Sequence, residues 1–105
     1  MSVLTHGMLT SPALVKGRQD KVNEGLAKVQ AQIARLTQAG VQPSAGFLAQ
    51  FQALQQQLAV AMQQPSNEAQ RAALKPVKDA ARTIAKQSAQ RVDVILADVA
   101  IMRQQ

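Results

Sequence analysis

The sequence predicts an all-α protein in which three heptad-patterned helices form a helical hairpin or an up-down-up bundle, with a long C-terminal helix. The chain is rich in Ala, Leu, Gln, Lys and Arg, which favour helix, and it contains two Phe but no Trp or Tyr. Apolar residues recur at alternating intervals of three and four, which places them on one face of a helix. A chain of 105 residues is expected to form one domain.

The first helix is predicted over residues 11–40, after an irregular arm formed by residues 1–10. Ser11 followed by Pro12 is typical of a helix N-cap and first helical position. Gly40 is placed to end the helix, because a glycine readily adopts the left-handed conformation of a C-cap motif.

A heptad pattern runs through this first helix. Apolar residues recur every seven positions, and two more fill the alternate positions of the same face: Val15, Val22, Val29 and Leu36, with Leu26 and Ile33. Such a pattern is typical of a coiled coil. Gly17 and Gly25 should each weaken the helix by roughly 1 kcal/mol.

The second helix is predicted over residues 43–64 and begins at Pro43 or Ser44. Its apolar face consists of Phe47, Phe51, Leu54, Leu58 and Met62. The helix carries no charged residue and many glutamines, which is unusual for a helix surface in water. The glutamines either face solvent or form hydrogen bonds to another protomer.

The third helix is predicted over residues 67–105, a length of about 38 residues or roughly 57 Å. Asn67 with Gln70 resembles a capping box that opens this helix. Pro76 removes one backbone donor and clashes with the carbonyl of Ala72, so either the helix kinks there or residues 67–75 form a separate short helix. Between Ala81 and Val92 the heptad spacing is interrupted.

The apolar stripes of all three helices are interpreted first as the core and second as a seam between subunits. The predicted interaction seam comprises Leu74, Val77, Ile84, Val92, Ile95, Val99, Met102, Phe47, Phe51, Leu54 and Leu58. A core of small side chains buries little area per residue, so further burial against a partner is expected.

The formal net charge of +6 either attracts a polyanion or simply keeps a helical protein in solution. One charge pattern on the third helix is regular, with intervals of four, three, four and four: the basic stripe Arg71, Lys75, Lys78, Arg82 and Lys86. Such a row is interpreted first as a solvated face, and it also fits a phosphate backbone, anionic lipid, a protein contact or a channel wall. Aromatic residues for base stacking are missing from it.

The sequence contains no arrangement typical of a catalytic, cofactor or metal site. Cysteine is absent, and His6 is the only histidine. Asp20 and Glu24 share a helix face but lie among lysines, which favours a solvated charge patch. No glycine-rich phosphate loop occurs. We therefore expect a protein that is not an enzyme and that needs no cofactor.

The sequence also lacks an apolar stretch of about 18–20 residues that could span a membrane. The N-terminus has no basic region followed by an apolar one, so a cleaved secretory signal is not expected. The protein is therefore expected either in the cytoplasm or outside it by a route that needs no cleaved signal.

The C-terminal part of the chain contains Pro65-Ser66-Asn67 at the turn, Gln87-Ser88 within the helix, and Val92-Asp93-Val94-Ile95 followed by Asp98-Val99. In these residues it resembles the needle and inner-rod subunits of type III secretion systems. The resemblance implies a helical filament whose long C-terminal helix lines a lumen. It also implies that Lys86 and Arg91 face the channel and that export needs no cleaved signal.

The sequence favours a self-assembling or protein-docking helical module whose partner is itself or another helical protein. Its sharpest form is the structural subunit of a secretion needle or rod-like filament. One alternative is a basic accessory protein that binds nucleic acid through the stripe on the third helix. Another is a small helical chaperone or phage-encoded inhibitor that docks on a larger protein.

Overall fold

The computed structural model describes residues 11–104, so the predicted arm and His6 lie outside the described residues. The elements are α1 (Pro12–Gln38), α2 (Ala45–Met62) and α3 (Asn67–Gln104). The predicted all-α fold with a long C-terminal helix is confirmed.

The three helices run up, down and up. Near the start of α1, Arg18 Nη1 donates a hydrogen bond to the carbonyl of Arg71 at 2.6 Å. Near the end of α1, Arg35 Nη2 lies 2.8 Å from Asp93 Oδ1. The two contacts occur in the same order along α1 and α3, so these helices are parallel and α2 runs in the opposite direction.

The end of α1 is fixed by backbone hydrogen bonds around Gly40. Gly40 has φ +76°, in the left-handed region that favours glycine. Its N–H donates to the Thr37 carbonyl at 3.0 Å, and the Val41 N–H donates to the Leu36 carbonyl at 2.8 Å. These two bonds form a Schellman motif, which ends the helix and directs the chain into α2.

The turn between α2 and α3 differs from the predicted capping box. Ser66 is the capping residue, because its Oγ accepts a hydrogen bond from the Ala69 N–H at 3.1 Å. The side chain of Gln70 donates to the carbonyls of Met62 and Gln64, at 2.9 and 3.2 Å. Gln70 therefore satisfies carbonyls at the end of α2 instead of completing the cap of α3.

The third helix continues through Pro76, so the alternative of a separate helix over residues 67–75 is wrong. Pro76 is exposed, which lets its ring lie on the solvent side of the helix. Packing of the residues on either side holds the helix together, since Leu74 is fully buried and Val77 is 6% exposed.

The core forms where all three helices meet. Its buried residues are Val15 and Val22 from α1, Leu54 and Ala61 from α2, and Leu74, Val77 and Ala81 from α3. Beyond Ala81 the buried positions of α3 are Ala85, Ser88 and Val92, so small residues fill the interrupted part of the predicted stripe. The Ser88 hydroxyl donates to the Ala85 carbonyl at 3.0 Å.

The helices α1 and α3 approach each other closely at Gly25, which is buried. A Cβ placed on Gly25 would lie 2.8 Å from the Cβ of Ala81 and 3.1 Å from the carbonyl carbon and oxygen of that residue. Gly25 weakens α1 locally, but its lack of a side chain permits the close contact of α1 with Ala81 of α3.

The bundle is thin and elongated. Its radius of gyration is 18.1 Å, against about 13 Å for a compact domain of this length. The accessible surface is 7167 Å², whereas a compact monomer of the same mass exposes about 5,700 Å². The molecule thus exposes about 1,500 Å² more than a compact monomer does.

Candidate functional site

The predicted interaction seam divides into three groups by burial. Leu54, Leu74, Val77 and Val92 are buried within the chain. The half-buried members are Phe47, Phe51, Leu58, Ile84, Ile95 and Val99. Met102 is 72% exposed near the end of α3. The buried members hold the monomer together, so a charge placed at Val92 would report on folding and not on association.

The most exposed helix is α2, whose buried residues are Leu54 and Ala61. Position 56 lies about 200° around the helix from position 54, on the side turned away from the core. That side presents a heptad-spaced set of small and amide residues, all exposed, which we name the charge-free face: Ala49, Gln52, Gln56, Ala59 and Gln63. Val60 lies beside it and is 57% exposed.

This face belongs to a long segment without charge. Residues 39–66 contain no Asp, Glu, Lys or Arg, whereas the whole chain has 12 basic and 6 acidic residues. Exposed helices in water usually carry charged residues on their outer side. The sequence pattern already showed the absence of charge, and the structure adds that the uncharged side is uncovered.

A groove opens where the start of α2 lies beside the middle of α3. It has a volume of about 700 Å³ and includes Leu36, Val41, Phe47, Ile84, Val92 and Ile95 among its lining residues. We name it the apolar groove. Phe47 and Ile95 are half-buried there, so the bundle is less tightly closed at this end than around Leu54.

A second groove, of about 360 Å³, lies between α1 and α3. We name it the basic groove, and its charged lining residues are Lys21, Glu24 and Lys28 from α1 with Lys78, Arg82 and Lys86 from α3. Gly25, Ala85 and Ala89 also line it. The tight packing at Gly25 brings the two rows of cations to the sides of one shallow channel.

The structure therefore divides the predicted basic stripe. Lys78, Arg82 and Lys86 line the basic groove, whereas Arg71 and Lys75 are not among its lining residues. Lys75 pairs with Asp79 at 3.7 Å. Lys21 and Lys28, which sequence reasoning had not joined to the stripe, lie across from it. Positions 21 and 28 are seven residues apart, which places them on one side of α1 but does not show that this side faces the stripe.

The paired carboxylates of α1 each have a lysine partner. Lys16 Nζ lies 3.3 Å from Asp20 Oδ2, and Lys21 Nζ lies 3.3 Å from Glu24 Oε2. All four side chains are more than half exposed. Exposed pairs of this kind contribute about 0–1 kcal/mol and separate easily.

Within residues 11–104, no group of three or more His, Cys, Asp or Glu side chains is placed to hold a metal ion. No helix in this part of the chain is long and apolar enough to cross a membrane.

Comparison with protein-family models, curated proteins and solved structures gave no match.

Proposed function

We propose that this protein is a non-enzymatic structural subunit that associates with copies of itself through the charge-free face of α2. The observation that carries the proposal is an exposed helix with two buried residues, Leu54 and Ala61, and no charged residue. A helix that contributes this little to its own core gains burial when a second helix covers its outer side.

A second copy is the partner that the charge distribution favours. The chain has a net charge of +6, so most contacts between copies would bring like charges together. The segment over residues 39–66 is free of charge, so two copies that meet there avoid this repulsion. A two-fold symmetric interface uses the same surface on both subunits, and an uncharged face is compatible with itself.

The side chains of the charge-free face suit close helix packing. Ala49 and Ala59 are small, so a partner helix can approach closely. Gln52 and Gln56 offer amide donors and acceptors that can bond to the same residues of a second copy. The excess surface of about 1,500 Å² on each copy is more than the roughly 800 Å² per partner that a standard protein interface buries.

In its most specific form, the proposal is that copies of the chain assemble into a filament like that of secretion needle or inner-rod subunits. Its support is the resemblance of residues 65–99 to those subunits and the length of α3, which extends over Asn67–Gln104. A filament needs a second, different contact on each subunit. The apolar groove and the exposed Val94, Ile101 and Met102 near the end of α3 are available for it.

Light scattering at rising protein concentration, with negative-stain images of the same samples, tests the proposal. The test variant is Gln52→Glu with Gln56→Glu, which keeps side-chain shape but places two charges on the charge-free face. The matched control is Gln30→Glu with Gln38→Glu on α1, where both glutamines are exposed and the change in net charge is the same.

We expect the wild type and the control to exceed the monomer mass of 11.2 kDa as concentration rises, while the test variant stays monomeric. Circular dichroism should show the same helix content in all three. A wild type that never associates would overturn self-assembly and favour docking on a different protein. Equal association of the two variants would show that α2 is not the interface.

A further inference from the structure

The basic groove between α1 and α3 is a second surface that self-association through α2 does not use. Five cations line it, Lys21, Lys28, Lys78, Arg82 and Lys86, against the single carboxylate of Glu24. Cations gathered this closely repel one another, so a bound anion would lower the electrostatic free energy of the fold. We propose that the basic groove binds the phosphate backbone of a nucleic acid without reading its sequence.

The spacing of the cations suits a row of phosphates. Lys78 and Lys86 are eight residues apart, or about 12 Å along α3. Lys21 and Lys28 are seven residues apart, or about 10 Å along α1. One DNA strand presents a phosphate about every 3.4 Å, so three or four phosphates occupy the length of the groove.

The chemistry of the lining favours phosphate over a protein partner. Four of the five cations are lysines, which bind phosphate as point charges but are depleted in protein–protein interfaces. The uncharged residues lining the groove are Gly25, Ala85 and Ala89, which offer little area for a partner helix to bury. A second copy is also a poor occupant, because its net charge is +6.

The same lining disfavours a membrane surface. Helices that lie on membranes place large apolar side chains such as Leu, Phe or Trp next to their cations. The basic groove has none among its lining residues. It also lacks aromatic residues on which bases could stack, so binding through it rests on charge alone and should show strong salt dependence.

Glu24 limits the affinity of the groove. Its carboxylate lies 3.3 Å from Lys21 Nζ and competes with phosphate for that lysine. Both side chains are more than half exposed, so the pair opens at little cost. Glu24→Gln removes the competing charge and should strengthen binding severalfold, the opposite of the effect expected for a lysine or arginine substitution.

Fluorescence anisotropy with labelled DNA of about 20 base pairs, and with one of its single strands, measures the interaction between about 50 and 200 mM salt. Neutralising four phosphates gives a slope of log affinity against log salt near −3.6 for the duplex, or about a 150-fold loss over that range. The variant Lys78→Gln with Arg82→Gln should have a slope near −1.8 and lose about 12-fold.

The control is Lys16→Gln with Arg103→Gln, which removes the same net charge at two exposed residues that do not line the groove. It should keep the wild-type slope. A wild type without measurable binding at the lower salt concentration would overturn the proposal. So would equal losses in the two variants, or binding to vesicles of anionic lipid in place of DNA. Light scattering of Lys78→Gln with Arg82→Gln measures self-association through α2 separately from DNA binding. Either proposal can therefore be refuted without the other.

Discussion

For the substitution Gly25→Ala, the packing of the bundle and the local helix preference predict opposite changes in the free energy of unfolding. An alanine in a helix interior is about 1 kcal/mol more favourable than a glycine, so Gly25→Ala should stabilise an isolated α1. In the bundle, the new Cβ would lie 2.8 Å from the Cβ of Ala81. It would also lie 3.1 Å from the carbonyl atoms of Ala81, which are backbone and cannot rotate away.

The size of the effect follows from these contacts. Overpacking of a core costs about 1–3 kcal/mol, and here relief requires α1 to move away from α3. That movement would also loosen the packing of Val22 and Leu74, which are fully buried in the same cluster. After the gain in helix preference is subtracted, we expect Gly25→Ala to lower the free energy of unfolding by up to about 2 kcal/mol.

Urea denaturation followed by circular dichroism measures this change, and Gly17→Ala is its matched control. Gly17 lies in the same helix, and a Cβ there has no atom within 4 Å. Gly17→Ala should therefore raise the free energy of unfolding by about 1 kcal/mol. If Gly25→Ala stabilised the protein as much as Gly17→Ala does, the close approach of α1 and α3 at Ala81 would be refuted.

Three further experiments test the packing of α3. Leu74→Ala removes a fully buried side chain and should cost about 2–5 kcal/mol in urea denaturation, and a cost below 1 kcal/mol would place Leu74 outside the core. Pro76→Ala restores a backbone donor to the Ala72 carbonyl and should stabilise the protein by about 3 kcal/mol in thermal unfolding, whereas any loss would contradict a continuous helix. A double-mutant cycle on Arg35 and Asp93 should give a coupling below about 1 kcal/mol that falls with added salt, because the side chains are 41% and 63% exposed.

The heptad pattern of α1 was sufficient to predict its buried face. Val15, Val22, Val29 and Leu36 recur every seven residues, and all four are buried. This works because a regular spacing defines one side of a helix, whatever that side packs against. Gly40 was also predictable, since a glycine after a periodic stretch signals the left-handed end of a helix.

Contacts between helices were harder to predict from the sequence. The sequence pattern treats Gly17 and Gly25 alike, yet only the second lies against another helix. Whether Lys21 and Lys28 lie in the same groove as the basic residues of α3 likewise depends on how α1 is rotated and aligned against α3. Local spacing contains no information on that alignment, because the alignment concerns residues that are 50 or more positions apart in the sequence.

The exposure of α2 also required the structure. Phe47, Phe51 and Leu58 form a regular apolar stripe, which predicted a buried helix face, but each is half-buried. The helix is held mainly by Leu54 and Ala61, because its first half lies beside the apolar groove. The absence of charge, which the sequence shows directly, becomes informative only once the helix is known to be uncovered.

Cross-linking through a single cysteine tests the central proposal, pairing of α2 helices, most directly. The chain contains no cysteine, so Gln56→Cys introduces one reactive group at the centre of the charge-free face. Ala31→Cys, at an exposed position of α1, is the control. With a short bifunctional thiol reagent, we expect Gln56→Cys to give a covalent dimer much faster than Ala31→Cys does. Equal rates at the two positions would contradict the pairing of α2 with α2.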